Sequence, residues 1–186
     1  PVFDKHCVSC HDFGRDAGKR LNLAADKTLV FNVSYMDLHR KDHLGSIGGG
    51  PNAIMEAYSW GSHASTLIEQ LETSDCGQGL SAQDYDRIVT WIDLNAPYYP
   101  THASAYDGNP GGRSPLDARQ LKRLEELAGK QISLKHGAAP MISFDRPELS
   151  PILDRIENSD SQEYAEALTI IRQGQATLNQ KPRADM

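Results

Sequence analysis

This chain is short of most features that announce a function class. No run of lysine or arginine occurs, and 19 basic against 25 acidic residues leave a formal charge of −6. Neutralising a phosphate backbone takes clustered cations, so the composition argues against a nucleic-acid partner. No stretch of about 18 apolar residues exists, so no segment reads as a membrane span. Aromatic residues make up 7% and form no row, which leaves an adhesion or carbohydrate-binding module without its usual platform. Three cysteines are too few, and the wrong parity, for a disulfide framework. Internal repeats and low-complexity tracts are missing, and no export signal is visible. The chain opens on "PVFDKHC" and closes on "KPRADM", and both ends read as cut from a longer polypeptide.

What is present begins at residue 6, with "HCVSCHDF". Cys7 and Cys10 stand three apart and His11 follows at once. A structural zinc site needs four ligands, commonly two pairs, and Cys76 has no second cysteine or histidine at ligand spacing. A thioredoxin-like dithiol needs a βαβ setting that these flanks do not supply. C-x-x-C-H suits covalent haem: two thiols add to the two porphyrin vinyl groups, and the adjacent His11 then lies under the iron.

Around the motif the pattern is helical. Residues 1–11 carry Val2 and Phe3 and read as the last turns of a helix. Residues 12–34 alternate Leu21, Leu23, Leu29, Phe31 and Val33, as short strands or irregular chain would. "LGSIGGGPNAIM", residues 44–55, is a glycine-rich loop. "SHASTLIEQLE" sets Leu67, Ile68 and Leu71 on one face, with Ser62 or Ser65 as N-cap. "LSAQDYDRIVTWIDLNAP" is the clearest helix: Ser81 caps it, Asp84 makes an acidic capping box, Tyr85, Ile88, Val89 and Ile92 follow at helical spacing, and Pro97 ends it. Residues 98–114 are linker-like. Beyond them Ser114-Pro115 reads as N-cap and first helical position, with Leu121, Leu124 and Leu127 inside and Gly129 as C-cap. Ser150-Pro151 repeats the device, and a last helix runs from about Ser161 to Gln180. The expected fold is mainly α: a cytochrome c-like helical haem domain with long loops over residues 1–100, plus a helical C-terminal extension over 101–186 packed on or beside it.

Longer stretches carry a resemblance. "PVFDKHCVSCHD", "LNL", "YSWGSHASTLIEQL" and "LSAQDYDRIVTWIDLNAPYYPTHASAY" resemble planctomycete-type cytochrome c domains. The same pattern, with the tail from "ISFDRPELSPIL" onward, resembles the haem-bearing C-terminal region of hydrazine synthase alpha subunits, so the likeness covers nearly the whole chain. It implies one covalent haem c in an exported multidomain protein, with periplasmic or extracellular location and an export signal upstream of Pro1. Relatives of this pattern carry a Gly-His pair just before the "LS" that starts the main helix. Here "SDCGQGLS", residues 74–81, sets Asp75 and Cys76 in that place.

His11 takes one face of the iron. For the other, His63 ranks first, at a helix start inside the matched "GSHAS" block. Met55 is second and Cys76 third, while His102, His39, His43 and Met36 rank lower. His6 is too close to the motif to reach over the ring, and His136 reads as surface. Trp91, Tyr85 and Ile88 pack against haem or core, Tyr98 and Tyr99 sit where they would close the haem edge, and Arg20 and Lys19 are candidate partners of a propionate. The cofactor-binding set is therefore Cys7, Cys10, His11, His63 and Trp91, with His11 and His63 on the metal. The function expected is electron transfer, from a carrier domain rather than an enzyme, to a redox partner protein or a neighbouring haem domain. The rival is a haem enzyme or sensor with open or weakly held iron, acting on a small nitrogen or oxygen species.

Overall fold

Helix begins almost at once, at Val2. The computed structural model describes residues 2–47 and 54–185. Helix α1 (Val2–His6) carries the motif turn on its end. A short α2 (Asp16–Arg20) follows, then irregular chain to α3 (Val33–Arg40). After the glycine-rich loop, whose residues 48–53 lie outside the described set, come α4 (Thr66–Thr73) and α5 (Ala82–Asp93). The second half holds α6 (Ala118–Ala128) and α7 (Gln162–Gln180). Among the described residues there are no strands, only isolated bridges between Lys27 and Asn32 and between Gly45 and Gly61. The mainly helical class expected from the sequence is what the structure has.

Local chemistry explains most boundaries and corrects several expectations. Ser81 caps α5 by accepting the Asp84 N–H at 3.1 Å. The Asp84 carboxylate does not close a capping box; it takes Lys5, His6 and Arg87 instead. Helix α6 starts later than the Ser114-Pro115 pair suggests: Asp117 is its N-cap, in a full capping box with Gln120, and Gly129 ends it at φ +59°. Ser150-Pro151 leads only into a 3₁₀ turn, Leu153–Arg155. Ser65 stands at the N-cap of α4 without capping it; its hydroxyl donates to the Gly61 carbonyl and accepts the Gly45 N–H. Helix α2 and the first two residues of α3 occupy chain expected to be short strands or irregular. Gly18 lets α2 press on the motif loop, since a Cβ there would sit 1.8 Å from the Asp12 carbonyl oxygen. Asn32 caps α3 by accepting the Tyr35 N–H at 2.8 Å.

Two hydrophobic cores result. The first gathers Leu21, Leu38, Leu67, Ile68, Ile88 and Ile92, so α5 buries one stripe against α3 and α4. Ile92 is fully buried, worth about 1.5–3 kcal/mol by itself. The second is built by α6, α7 and the chain between them, around Leu116, Leu124, Phe144 and Ile171. It also takes Leu29 and Val30 from the first half. The segment 21–30 therefore serves both cores, and the two halves pack through it.

Candidate functional site

The Cys7 N–H still bonds the Phe3 carbonyl at 2.8 Å, so α1 runs directly into the motif. The Cys10 and His11 N–H groups both reach back to the Cys7 carbonyl, at 3.1 and 2.9 Å. Both thiols and the imidazole thus share one turn wound on the end of α1. Cys7 is half-buried and faces the first core, whereas Cys10 is exposed, and none of the three cysteines is in a disulfide. Burial above all, with the neighbouring Cys76, Asp4 and Cys10 charges behind it, pushes the Cys7 thiol up to about 11. The turn is pinned from outside: Lys5 and His6 both reach the Asp84 carboxylate at 3.0 Å, fastening α1 to the start of α5. Those two partners hold the Asp84 carboxyl below its ordinary range.

His11 is the informative side chain. Its Nδ1 lies 2.8 Å from the Leu21 carbonyl oxygen. A carbonyl oxygen only accepts, so Nδ1 carries the proton, and in the neutral ring the lone pair then falls on Nε2. Metal-bound histidines are held in this way, with one nitrogen donating to a carbonyl and the other turned to the metal. Leu21 can serve because it is buried in the first core and because the Leu23 N–H bonds the His11 carbonyl at 2.9 Å.

A second wall is made by two chain segments joined at the Gly45–Gly61 bridge, where the Gly61 N–H meets the Gly45 carbonyl at 2.7 Å. Gly61 has φ +74°, and a Cβ there would lie 2.7 Å from an Asp93 carboxylate oxygen, so glycine is required. Asn95 ties the same wall to the end of α5 by bonding both the N–H and the carbonyl of Ile47. His43 stands on one segment, half-buried, with Nδ1 2.9 Å from the Thr66 hydroxyl. Burial first, then Lys41 and lastly His11, draw its pKa down against Asp37 and Asp42, which places His11 within its electrostatic reach. His63 stands on the other segment, exposed, its ring edge-on to Tyr58 at 4.8 Å. The loop closed by this bridge shows Ile54, Met55, Tyr58 and Trp60 to solvent. Four large apolar side chains on one short loop are an uncommon surface for water to face and a common one for a ligand.

The remaining candidates scatter. Cys76 is exposed on the 3₁₀ turn Asp75–Gly77, close enough to Cys7 to raise its pKa. Trp91 donates to the Pro97 carbonyl at 3.0 Å and lines a cleft of about 280 Å³ between α1, α3 and α5, together with Phe3, Tyr35 and Ile88. Cys10 and His11 do not line that cleft. Tyr98 and Tyr99 pack with Phe31 instead, and Arg113 covers Tyr99 at 3.7 Å. Lys19 pairs with Asp16 on the surface. His136 is exposed, and its ring meets that of His39 at 4.6 Å.

One group escaped sequence reasoning altogether. Arg146 forks onto Asp12, the residue after His11, at 2.7 and 2.6 Å, and also reaches Asp26. Its 134-residue separation from Asp12 leaves no local signal. Among the described residues no group of three or more His, Cys, Asp or Glu is gathered as a metal site. Compared with known proteins, the chain matches no protein-family model, no curated protein and no solved structure.

Proposed function

We propose that this chain carries one covalent haem c on Cys7 and Cys10, with His11 as axial ligand, and serves outer-sphere electron transfer. The single observation that carries the reading is the His11 Nδ1–H bond to the Leu21 carbonyl at the end of a C-x-x-C turn. The exposed apolar side chains of residues 54–60 support it, because a porphyrin is the kind of flat apolar body that would cover them. When bound, haem supplies a one-electron ferric/ferrous couple.

The protein's own part is positional. Cys7 and Cys10 would hold the ring covalently, and Leu21 sets the imidazole tautomer. The second imidazole would come from the wall around Gly45 and Gly61. His63 is the choice made from sequence, and it is exposed with its ring edge-on to Tyr58. A second reading, His43, is favoured by the Thr66 hydroxyl on its Nδ1 and by its reach to His11. Two imidazoles would hold the iron low-spin and closed to small molecules, which suits a carrier. The resemblance to exported cytochrome c domains extends the proposal to a periplasmic or extracellular setting, with a redox protein or neighbouring haem domain as partner.

The deciding experiment is haem staining on a denaturing gel, joined to visible spectra with and without carbon monoxide. Stain that survives denaturation and vanishes in Cys7→Ala/Cys10→Ala is expected, with a low-spin spectrum indifferent to carbon monoxide. Whichever of His43→Ala and His63→Ala turns the ferric spectrum high-spin names the second ligand. Colour that washes out in acid-acetone would sink the proposal, and a wild-type spectrum that binds carbon monoxide would move it to the enzyme or sensor alternative.

A further inference from the structure

The second half of the chain delivers one cation to the motif loop. Arg146 donates from two guanidinium nitrogens to both Asp12 carboxylate oxygens, and from Nε and Nη2 to both oxygens of Asp26, at 2.9 and 2.6 Å. Asp12 adjoins His11, one Cα step of ~3.8 Å away. Asp26 is 7% exposed at its side chain and Asp12 21%, so neither carboxylate is well hydrated. Arg146 is itself held: its N–H bonds the Ser143 hydroxyl, which in turn donates to Asp26. Phe144, between them, is buried in the second core, and its N–H bonds the Lys27 carbonyl at 2.9 Å. The guanidinium also lies over the Phe13 ring, at 5.1 Å.

We infer that Arg146 is a positioning and charge-balancing residue for the His11 site, through which the C-terminal half sets the redox potential. The inference rests on the haem proposal above. With Asp12 next to His11 and Asp26 tied to it through Arg146, the two carboxylates would favour the ferric state of a haem held there, which carries one more positive charge than the ferrous. Arg146 offsets part of that bias and fixes where the carboxylates point. At roughly 10 Å and an effective dielectric near 20, one unbalanced charge changes a ferric:ferrous ratio on the order of tenfold. For a one-electron couple, tenfold is about 59 mV. The same fork braces the Asp12–Phe13 corner against which α2 packs, so it also steadies the His11 bond to Leu21.

The test is a redox titration of the haem-loaded protein, run beside its thermal unfolding. Arg146→Gln should lower the midpoint by about tenfold in ratio, ~59 mV. Asp12→Asn added to it should restore most of that shift, and Arg146→Lys, which keeps the charge and loses the fork, should move the midpoint far less. Should Arg146→Gln not fold, Asp12→Asn alone serves, and it should raise the midpoint. A purely structural arginine predicts something different: Arg146→Gln and Arg146→Lys lower the melting temperature alike and leave the midpoint in place. That result, or an unmoved midpoint in Asp12→Asn, overturns the inference while haem staining stands. A wild-type protein without covalent haem fails the earlier proposal and takes this one with it.

Discussion

At the residue scale, the clearest consequence of burial falls on His39. Its ring is half-buried against Tyr35 at 4.4 Å and His136 at 4.6 Å, and its Nε2 has no hydrogen-bond partner among the described residues. Burial first, and His136 second, pull its pKa down from 6.5 to about 4. The unfolded chain therefore binds the proton more readily than the folded one between these values. Stability from this group is complete above about pH 6.5 and is lost as the pH falls toward 4. A shift of this size, discounted for the ring's partial exposure, is worth about 1–2 kcal/mol. His43, drawn down in the same direction, contributes a smaller share. His39→Phe should flatten the loss of stability between pH 6.5 and 5, measured by denaturant unfolding at both ends of that range. An acid slope as steep as in the wild type would show that the ring titrates normally in the fold.

Among the elements, α7 carries the sharpest packing constraint. Gly174 lies inside this helix, where alanine would ordinarily gain up to about 1 kcal/mol. Here a Cβ would stand 2.3 Å from a Phe144 ring carbon and 3.0 Å from a Leu116 methyl, and both neighbours are buried. Overpacking of that kind costs about 1–3 kcal/mol and outweighs the propensity gain. Gly174→Ala should lower the melting temperature by roughly 2–8 °C, and Phe144→Leu should recover part of the loss in the double variant. Elements of this kind were the legible part of the sequence. Helix α5 announced itself by spacing and by its cap Ser81, and α7 by its span from about Ser161 to Gln180, because such signals are local. The approach to α3 did not: Leu29, Phe31 and Val33 alternate like a strand, yet the chain there makes only the isolated Lys27–Asn32 bridge among the described residues, and Asn32 then turns it into helix. Cys7, Cys10 and His11 were legible because they are contiguous. The Leu21 carbonyl, the wall with His43 and the Arg146 fork are tertiary, and no local pattern encodes them.

On the scale of the whole molecule, what matters is that neither half is closed without the other. The first half lends Leu29 and Val30 to the second core. The second half returns polar anchors to the first. Arg146 takes Asp12 and Asp26, and Asp145 accepts the Lys27 N–H at 2.6 Å. Arg183, whose side chain is fully buried, donates to the carbonyls of Leu29 and Thr28 at 2.7 and 3.1 Å while pairing with Asp185. A buried cation stripped of its partners costs about 3–5 kcal/mol, and the carboxylates it leaves behind repel one another. That is a large part of the 5–15 kcal/mol expected for a domain. A chain ending at residue 100 keeps the motif and the whole first core, yet it loses the Arg146 cation and bares Leu29, Val30 and Phe31. Such a fragment should be aggregation-prone, with amide protection lost first over residues 21–33, while the full chain unfolds in one transition. Hydrogen exchange on the two proteins measures this directly. If the fragment instead kept native protection over 21–33 and melted at the temperature of the full chain, the halves would be energetically separate, and the path by which the C-terminal half reaches His11 would have to run elsewhere.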